Sequence, residues 1–307
     1  MKVDFATLSG PAAGGDVVAP AAPFRGGWGV LSESARLTDV LLVSPDHLAP
    51  VPCCSVTRET LRNGIGTDRA RALRQHRALA DALHDAGVRT RMVAGDGACP
   101  DMAYARDAGL MTPWGYLPLA PGAPHRRREA ELLAAHVAAL DIPVLPQVRG
   151  GTVEGGDISI FREGLVVIGC SGERTDEGGA AAVAGLFESH GWRALIYRFD
   201  PHFLHLDTQF SALGAHAALA CVDVLDDAFL AELAAEGLEL CPVSYKAARR
   251  LGCNVLALGG GRVLAAAGAG VGALLRPLGY EVQELELDEF TRCGGGVHCL
   301  TLPLARE

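Results

Sequence analysis

A unit of hairpin, helix and strand recurs along this chain. "GLMTPWGYLPL" (Gly109 to Leu119) has two apolar runs around turn residues and reads as a β-hairpin. "REAELLAAHVAAL" follows with apolar residues at helical spacing, and "IPVLPQ" reads as a short strand. The order returns as "DISIFREGLVVIG", "GGAAAVAGLFESHG" and "RALIYRF", with Gly191 as the helix stop. It returns as "TQFSALGAHAALACV", "DAFLAELAAEG" and "LELCPVS", and again as "NVLALGGGRVLAAAG", "GVGALLRPLG" and "YEVQELEL". Each unit is roughly 45 to 50 residues long, a period that marks repeat architectures. The N-terminal third supplies a split fifth unit: strand "DVLLVSP", helix "DRARALRQHRALADALHDAG", strand "VRTRMVA". Its missing hairpin partner is the final segment, "VHCLTLPL". A last strand that completes the first unit closes a ring and leaves no open sheet edge. The expected fold is α/β, a propeller of five ββαβ units around a central axis, in a single domain spanning residues 1–307. The competing reading is an ordinary α/β sheet whose repeats are accidental.

The bulk numbers fit a globular enzyme. The chain has 307 residues, 49% hydrophobic and 21% charged, enough for a sizeable core. A net charge of -9 argues against nucleic acid or an anionic membrane as partner. "MKVDFATLSG" lacks the apolar run of a secretory signal, and no stretch approaches the roughly 20 apolar residues of a membrane span. Nine scattered cysteines favour reduced thiols and a cytoplasmic location. Cys53 and Cys54 are the only close pair, and without CxxC a structural zinc site is not expected.

A short polar motif precedes each hairpin. It is "YARDAG" with Asp107, then "GGTVEGGD" with Glu154 and Asp157, then "FLHLDTQF" with His205 and Asp207. At the closing strand it is "GGGVHC" with Cys299. Equivalent positions in a ring point at the axis, so these residues are expected to converge. A thiolate attacks electrophilic carbon. A histidine protonates a leaving amine and then takes a proton from water. Carboxylates suit a planar cation with several N–H donors. The chemistry implied is attack on a guanidinium carbon through an amidino-thioether, with the glycines giving access to Cys299. Nearby acids would keep that thiol neutral until a cation arrives.

Blander readings accompany these. Asp157 is taken as a turn anchor, and Cys293 as a structural thiol. His298 is set aside as a base because a strand would point it away from Cys299. His202 and His205 have no obvious third metal ligand. "GGGR" (Gly259 to Arg262) is a hairpin turn rather than a phosphate loop, and "HRRRE" (His125 to Glu129) a solvated helix start. Arg25, Arg149 and Arg249 are candidates for gripping a substrate carboxylate.

"RD", "EGGD", "HLDTQF" and "GGGVHCLTLPL", in this order, resemble the guanidino-group modifying superfamily of arginine deiminases, dimethylarginine dimethylaminohydrolases, agmatine deiminases and amidinotransferases. The resemblance runs from about Ser32 ("SESARLTDVLLVSP") to the C-terminus. It implies a five-bladed αβ propeller, with Cys299 as nucleophile and His205 as acid and base. Asp107 and Asp207 would hold the guanidinium, and Glu154 would hold it or orient His205. No metal or other cofactor is implied; the partner is a small guanidino substrate, and a homodimer is compatible with the sequence. The aspartate in "HLD" is similar to arginine deiminases and amidinotransferases, and favours an unsubstituted guanidinium. The chain length and "CLTLPL" are closer to the dimethylarginine hydrolases. The expectation is a cysteine-dependent hydrolase of arginine or a close derivative, with an amidinotransferase, a dimethylarginine hydrolase or a non-catalytic guanidino binder as alternatives.

Overall fold

The structure, a computed structural model, describes residues 27–307. It opens with β1 (Leu37–Val43), α1 (Ser55–Arg62), α2 (Arg69–Asp85) and β2 (Arg89–Val93). Then come β3 (Gly109–Thr112), β4 (Gly115–Pro118) and α3 (Arg127–Ala138). The next unit is β5 (Ile158–Arg162), β6 (Leu165–Cys170), α4 (Glu177–Glu188) and β7 (Arg193–Arg198). It is followed by β8 (Phe210–Gly214), β9 (Ala217–Ala220), α5 (Asp227–Ala235), β10 (Glu239–Pro242) and the short α6 (Tyr245–Ala248). The chain ends with β11 (Leu256–Gly259), β12 (Arg262–Ala266), α7 (Val271–Leu275), β13 (Glu281–Leu285), α8 (Asp288–Thr291) and β14 (Leu302–Arg306).

The strands form five small sheets, ordered β14-β1-β2, β3-β4, β5-β6-β7, β8-β9-β10 and β11-β12-β13. In each the first strand runs antiparallel to the second, and in the three-stranded sheets the third is parallel to the second. The C-terminal strand β14 pairs with β1, so the split unit is completed as the repeat requires. "GGGR" is the β11–β12 turn, where Gly260 and Gly261 both have positive φ. Acidic caps start the crossover helices: Asp68, Asp176 and Asp226 accept from the backbone N–H of Arg71, Gly179 and Phe229. The inner strands β3, β11 and β14 are buried throughout, whereas β7 and β10 face solvent on part of their length. Inner strands therefore read as continuous apolar runs. Among the described residues no helix is long and apolar enough to cross a membrane.

Successive units are tied together at or just before the start of their first strands. Arg106 N–H donates to the Cys299 carbonyl, Gly156 N–H to Asp107, and Leu206 N–H to Asp157. The Ser211 hydroxyl donates to the Cys253 carbonyl, and His298 N–H to the Asn254 side chain. These bonds run from unit to unit and return from the last to the first.

Two expected elements differ. "IPVLPQ" is not a strand: Val144 makes a single bridge to Tyr116, and Pro143 and Pro146 lack the N–H that a ladder needs. Strand β14 begins at Leu302 rather than Val297, because residues 297–300 form a helical turn closed by Leu300 N–H on the Gly296 carbonyl.

Candidate active site

Each polar motif sits in a tight turn that feeds an inner strand. Asp107 and Asp157 lie in 3-10 turns before β3 and β5; His205 caps the turn that carries Asp207 before β8. Cys299 lies in the turn before β14. All five expected residues, Asp107, Glu154, His205, Asp207 and Cys299, are buried. Cys299, His205 and Asp107 face one small cavity, with Glu154 set behind His205 and Asp207 behind Cys299.

The glycine run permits this approach. A Cβ on Gly295 would stand 2.3 Å from the Tyr104 ring and 3.2 Å from Cβ of Cys299. Across the cavity, a Cβ on Gly156 would stand 2.6 Å from Nδ1 of His205. Both positions need a residue without a side chain.

The Cys299 thiol donates to Oδ2 of Asp207 at 3.4 Å and receives Nδ2–H of Asn254 at 3.1 Å. Burial, then Asp207 and Asp107, push this thiol well above its usual range. Oδ2 of Asp207 also meets Nδ1 of His298 at 2.8 Å, while Oδ1 has no partner among the described residues. His298 is therefore not turned away from Cys299: the helical turn lets both side chains reach one carboxylate, which strand alternation would forbid. His298 also lies 3.6 Å from Glu33, and Glu33 binds Arg106 at 2.9 Å and Ser159 at 2.8 Å. Burial raises Glu33, but Arg106 and His298 outweigh it and leave the carboxyl at about 2.

His205 binds Oε2 of Glu154 through Nε2 at 2.8 Å, and its Nδ1 lies 3.7 Å from Asp107. Burial disfavours the imidazolium, yet Asp107, Asp157 and Glu154 outweigh burial and push His205 up to about 10. At neutral pH it is a cation. Glu154 is held below the usual carboxylate range; burial opposes this, but Arg174 at 2.9 Å and His205 prevail. Asp157 anchors its turn, accepting from Thr175 at 2.6 Å and from Leu206 N–H at 2.8 Å.

The sequence reading missed several residues here. Arg126, expected in a solvated helix start, is 3% exposed and pairs with Asp107 and Glu129. Arg126 and Arg174 line the cavity, as does Cys293, whose thiol is pushed up to about 12 by burial and Asp101. Arg249 instead contacts His202, Arg149 is exposed, and Arg25 lies outside the described residues. Asn254 had a signal: "CNVLAL" occupies in the fourth full unit the place that "HLDTQF" holds in the third. Nothing local in the sequence marks Arg126 or Arg174 as buried.

Donor atoms of Asp107, Glu154 and His205 lie within 4.8 Å of one another, a spacing that a divalent cation could bridge. Both carboxylates already have a guanidinium partner, Arg126 and Arg174, and His205 holds a proton that would have to leave before its ring could ligate a metal. The set fits an organic cation with N–H donors better than a metal.

A family model described as "N,N dimethylarginine dimethylhydrolase, eukaryotic" matches residues 56–306. The chain belongs to this family. It lies within the guanidino-group modifying superfamily, whose hydrolases act on guanidino C–N bonds. A family relative from Streptomyces coelicolor, N(G),N(G)-dimethylarginine dimethylaminohydrolase, is 30% identical over 250 residues, 81% of this chain and 90% of that protein. An arginine deiminase from Listeria welshimeri is 28% identical over 257 residues, 68% of this chain and 62% of that protein. Among solved structures, a dimethylarginine dimethylaminohydrolase from Pseudomonas aeruginosa, a cysteine-to-serine mutant complexed with citrulline, superposes with a TM-score of 0.70. It is 26% identical, and the match covers 87% of this chain and 99% of that one.

Proposed function

We propose that this protein hydrolyses the guanidinium group of arginine or a close arginine derivative through a covalent bond to Cys299. The five sheets are then the blades of a five-bladed αβ propeller in one catalytic domain, a reading supported by hydrogen bonds that run from each unit to the next and back to the first. With nine free thiols, the cytoplasm is its place of work.

The observation that carries the reading is the pairing of a buried thiol with a carboxylate that has an unpartnered oxygen, beside an imidazolium. A buried carboxylate oxygen without a donor costs stability, and a cationic N–H donor from substrate relieves that cost. Asp207 and Asp107 bind the guanidinium. As the cation enters, the thiol proton of Cys299 leaves for solvent, since positive charge now favours the thiolate. Sulfur attacks the guanidinium carbon. His205 gives its proton to the departing nitrogen, the C–N bond breaks, and an amidino-thioether remains on Cys299. The neutral imidazole, conjugate base of an acid of pKa about 10, then takes a proton from water. Hydroxide adds, the C–S bond breaks, and a ureido product departs. Glu154 orients His205 and keeps it charged. Arg174, on the cavity wall between Glu154 and the outer cleft that Arg58 also lines, is the cation best placed for a substrate carboxylate.

The family match favours a second reading, in which asymmetric dimethylarginine is the substrate. Asp207 argues for unsubstituted arginine. A dimethylated nitrogen returns no hydrogen bond, and a buried carboxylate left unpaired costs on the order of 1 to 3 kcal/mol, so arginine should be preferred at least about tenfold. The test compares kcat/KM for the two substrates, following the ureido product by mass. Asp207→Ala should damage arginine turnover far more than dimethylarginine turnover. A native preference for dimethylarginine would establish the second reading instead.

A further inference from the structure

At the mouth of the cavity lies a second group of ligand-type side chains, none of which the proposed reaction uses. Sγ of Cys53, Oδ2 of Asp101 and Nε2 of His125 all lie within 4.8 Å of one another. His125 and Asp101 are 2.7 Å apart, and the Cys53 thiol points at the same Asp101 oxygen from 4.0 Å. The three come from different segments: the loop before α1, the loop after β2 and the turn before α3. We propose that Cys53, Asp101 and His125 form a binding site for zinc, and that zinc bound there closes the cavity over Cys299.

The donor set carries the choice of ion. Thiolate, imidazole and carboxylate together suit zinc, whereas magnesium and calcium take oxygen ligands. Zinc–ligand bonds of about 2.0 to 2.3 Å put tetrahedral donors about 3.5 Å apart. Cys53 has only to approach Asp101 by a fraction of an ångström, and His125 to move back by a similar amount. One thiolate, one carboxylate and a neutral imidazole balance the double charge, with the Cys53 proton released to solvent. Asp101 is 5% exposed, and His125 is the only ion-pair partner of its carboxylate among the described residues. The nearest arginines, Arg126 and Arg174, are already matched by Asp107, Glu129 and Glu154. Three protein ligands leave the fourth position for water. Cys53 and Asp101 both line the cavity that holds Cys299 and His205, so the ion sits across the path of a substrate.

The test separates this site from the reacting thiol. Cys299→Ser protein, free of oxygen, is titrated with cobalt(II) as a spectroscopic stand-in for zinc. One ion should bind and show a thiolate-to-cobalt charge-transfer band. Adding Cys53→Ser should abolish the band, and adding His125→Ala should weaken binding by more than about tenfold. In protein with Cys299 intact, zinc should inhibit turnover and a chelator should restore it. His125→Ala alone should keep basal turnover and resist zinc. A band that survives Cys53→Ser, no band at all, or unchanged zinc inhibition in His125→Ala would overturn the proposal. The cobalt titration needs no turnover, so it stands apart from the proposed reaction.

Discussion

The chemistry turns on two groups that the protein holds protonated, a thiol and an imidazole. Cys299 keeps its proton because burial and two aspartates penalise the thiolate, and His205 keeps its own because three carboxylates outweigh burial. The resting pair is a thiol and an imidazolium, and a cationic substrate is what makes the thiolate affordable. Cys299→Ser should keep the fold, read by an unchanged melting curve, and lose kcat by at least about a thousandfold. Near-normal turnover in that variant would rule out the covalent route. Glu154→Gln removes the charge that Nε2 of His205 meets at 2.8 Å. The His205 titration, followed by NMR, should fall from about 10 toward the ordinary 6.5, with kcat reduced by about a hundredfold. A His205 titration unmoved by Glu154→Gln would show that Asp107 and Asp157 alone hold the proton.

The turns that feed the inner strands are where most of the site was legible in the sequence. Asp107, Glu154, His205, Asp207 and Cys299 could be named because each stands just before an apolar run in a repeated unit, and the structure brings all five together. The same logic would have found Asn254, had the fourth unit been read for polar residues as well as for periodicity. Arg126 and Arg174 were not legible. An arginine at a helix start looks solvated unless its buried partners are known, and those partners lie 19 and 20 residues back in the chain, at Asp107 and Glu154. His298 was misplaced for a local reason: the strand was taken to start too early, and alternation was applied to a helical turn. The glycines of that turn make a prediction. Gly295→Ala would force a Cβ to 2.3 Å from the Tyr104 ring. Overpacking of this kind costs about 1 to 3 kcal/mol, so the melting temperature should drop. Activity should fall with it, because Tyr104 and Cys299 flank the same turn. A variant of native stability and activity would mean that the turn has slack.

At the scale of the whole molecule, fold and site are one object, since the hydrogen bonds that join the units are made by residues that line the cavity or adjoin those that do. Ionisation there couples to folding. The folded pKa of His205, about 10, is above the ordinary 6.5, so its contribution is complete below pH 6.5 and is lost as pH rises toward 10. Between pH 6.5 and 8, below the range where thiols of the unfolded chain titrate, the His205 share of stability should fall by up to about 1.4 kcal/mol per pH unit. Denaturant melts across that window should show it as the difference in slope between the native protein and His205→Asn; identical slopes in the two would contradict the raised pKa. Stripping the protein with a strong chelator should leave turnover intact or raise it, since the reaction as proposed uses no metal; activity lost and then restored by zinc would contradict that. The most direct measurement of the central claim is intact-protein mass spectrometry on acid-quenched reactions with arginine, with peptide mapping of any adduct. An amidino adduct should appear on Cys299, decline as ureido product accumulates, and be absent from Cys299→Ser. Ureido product formed with no adduct at any quench time, or an adduct mapped to Cys293, Cys53 or Cys54, would contradict it.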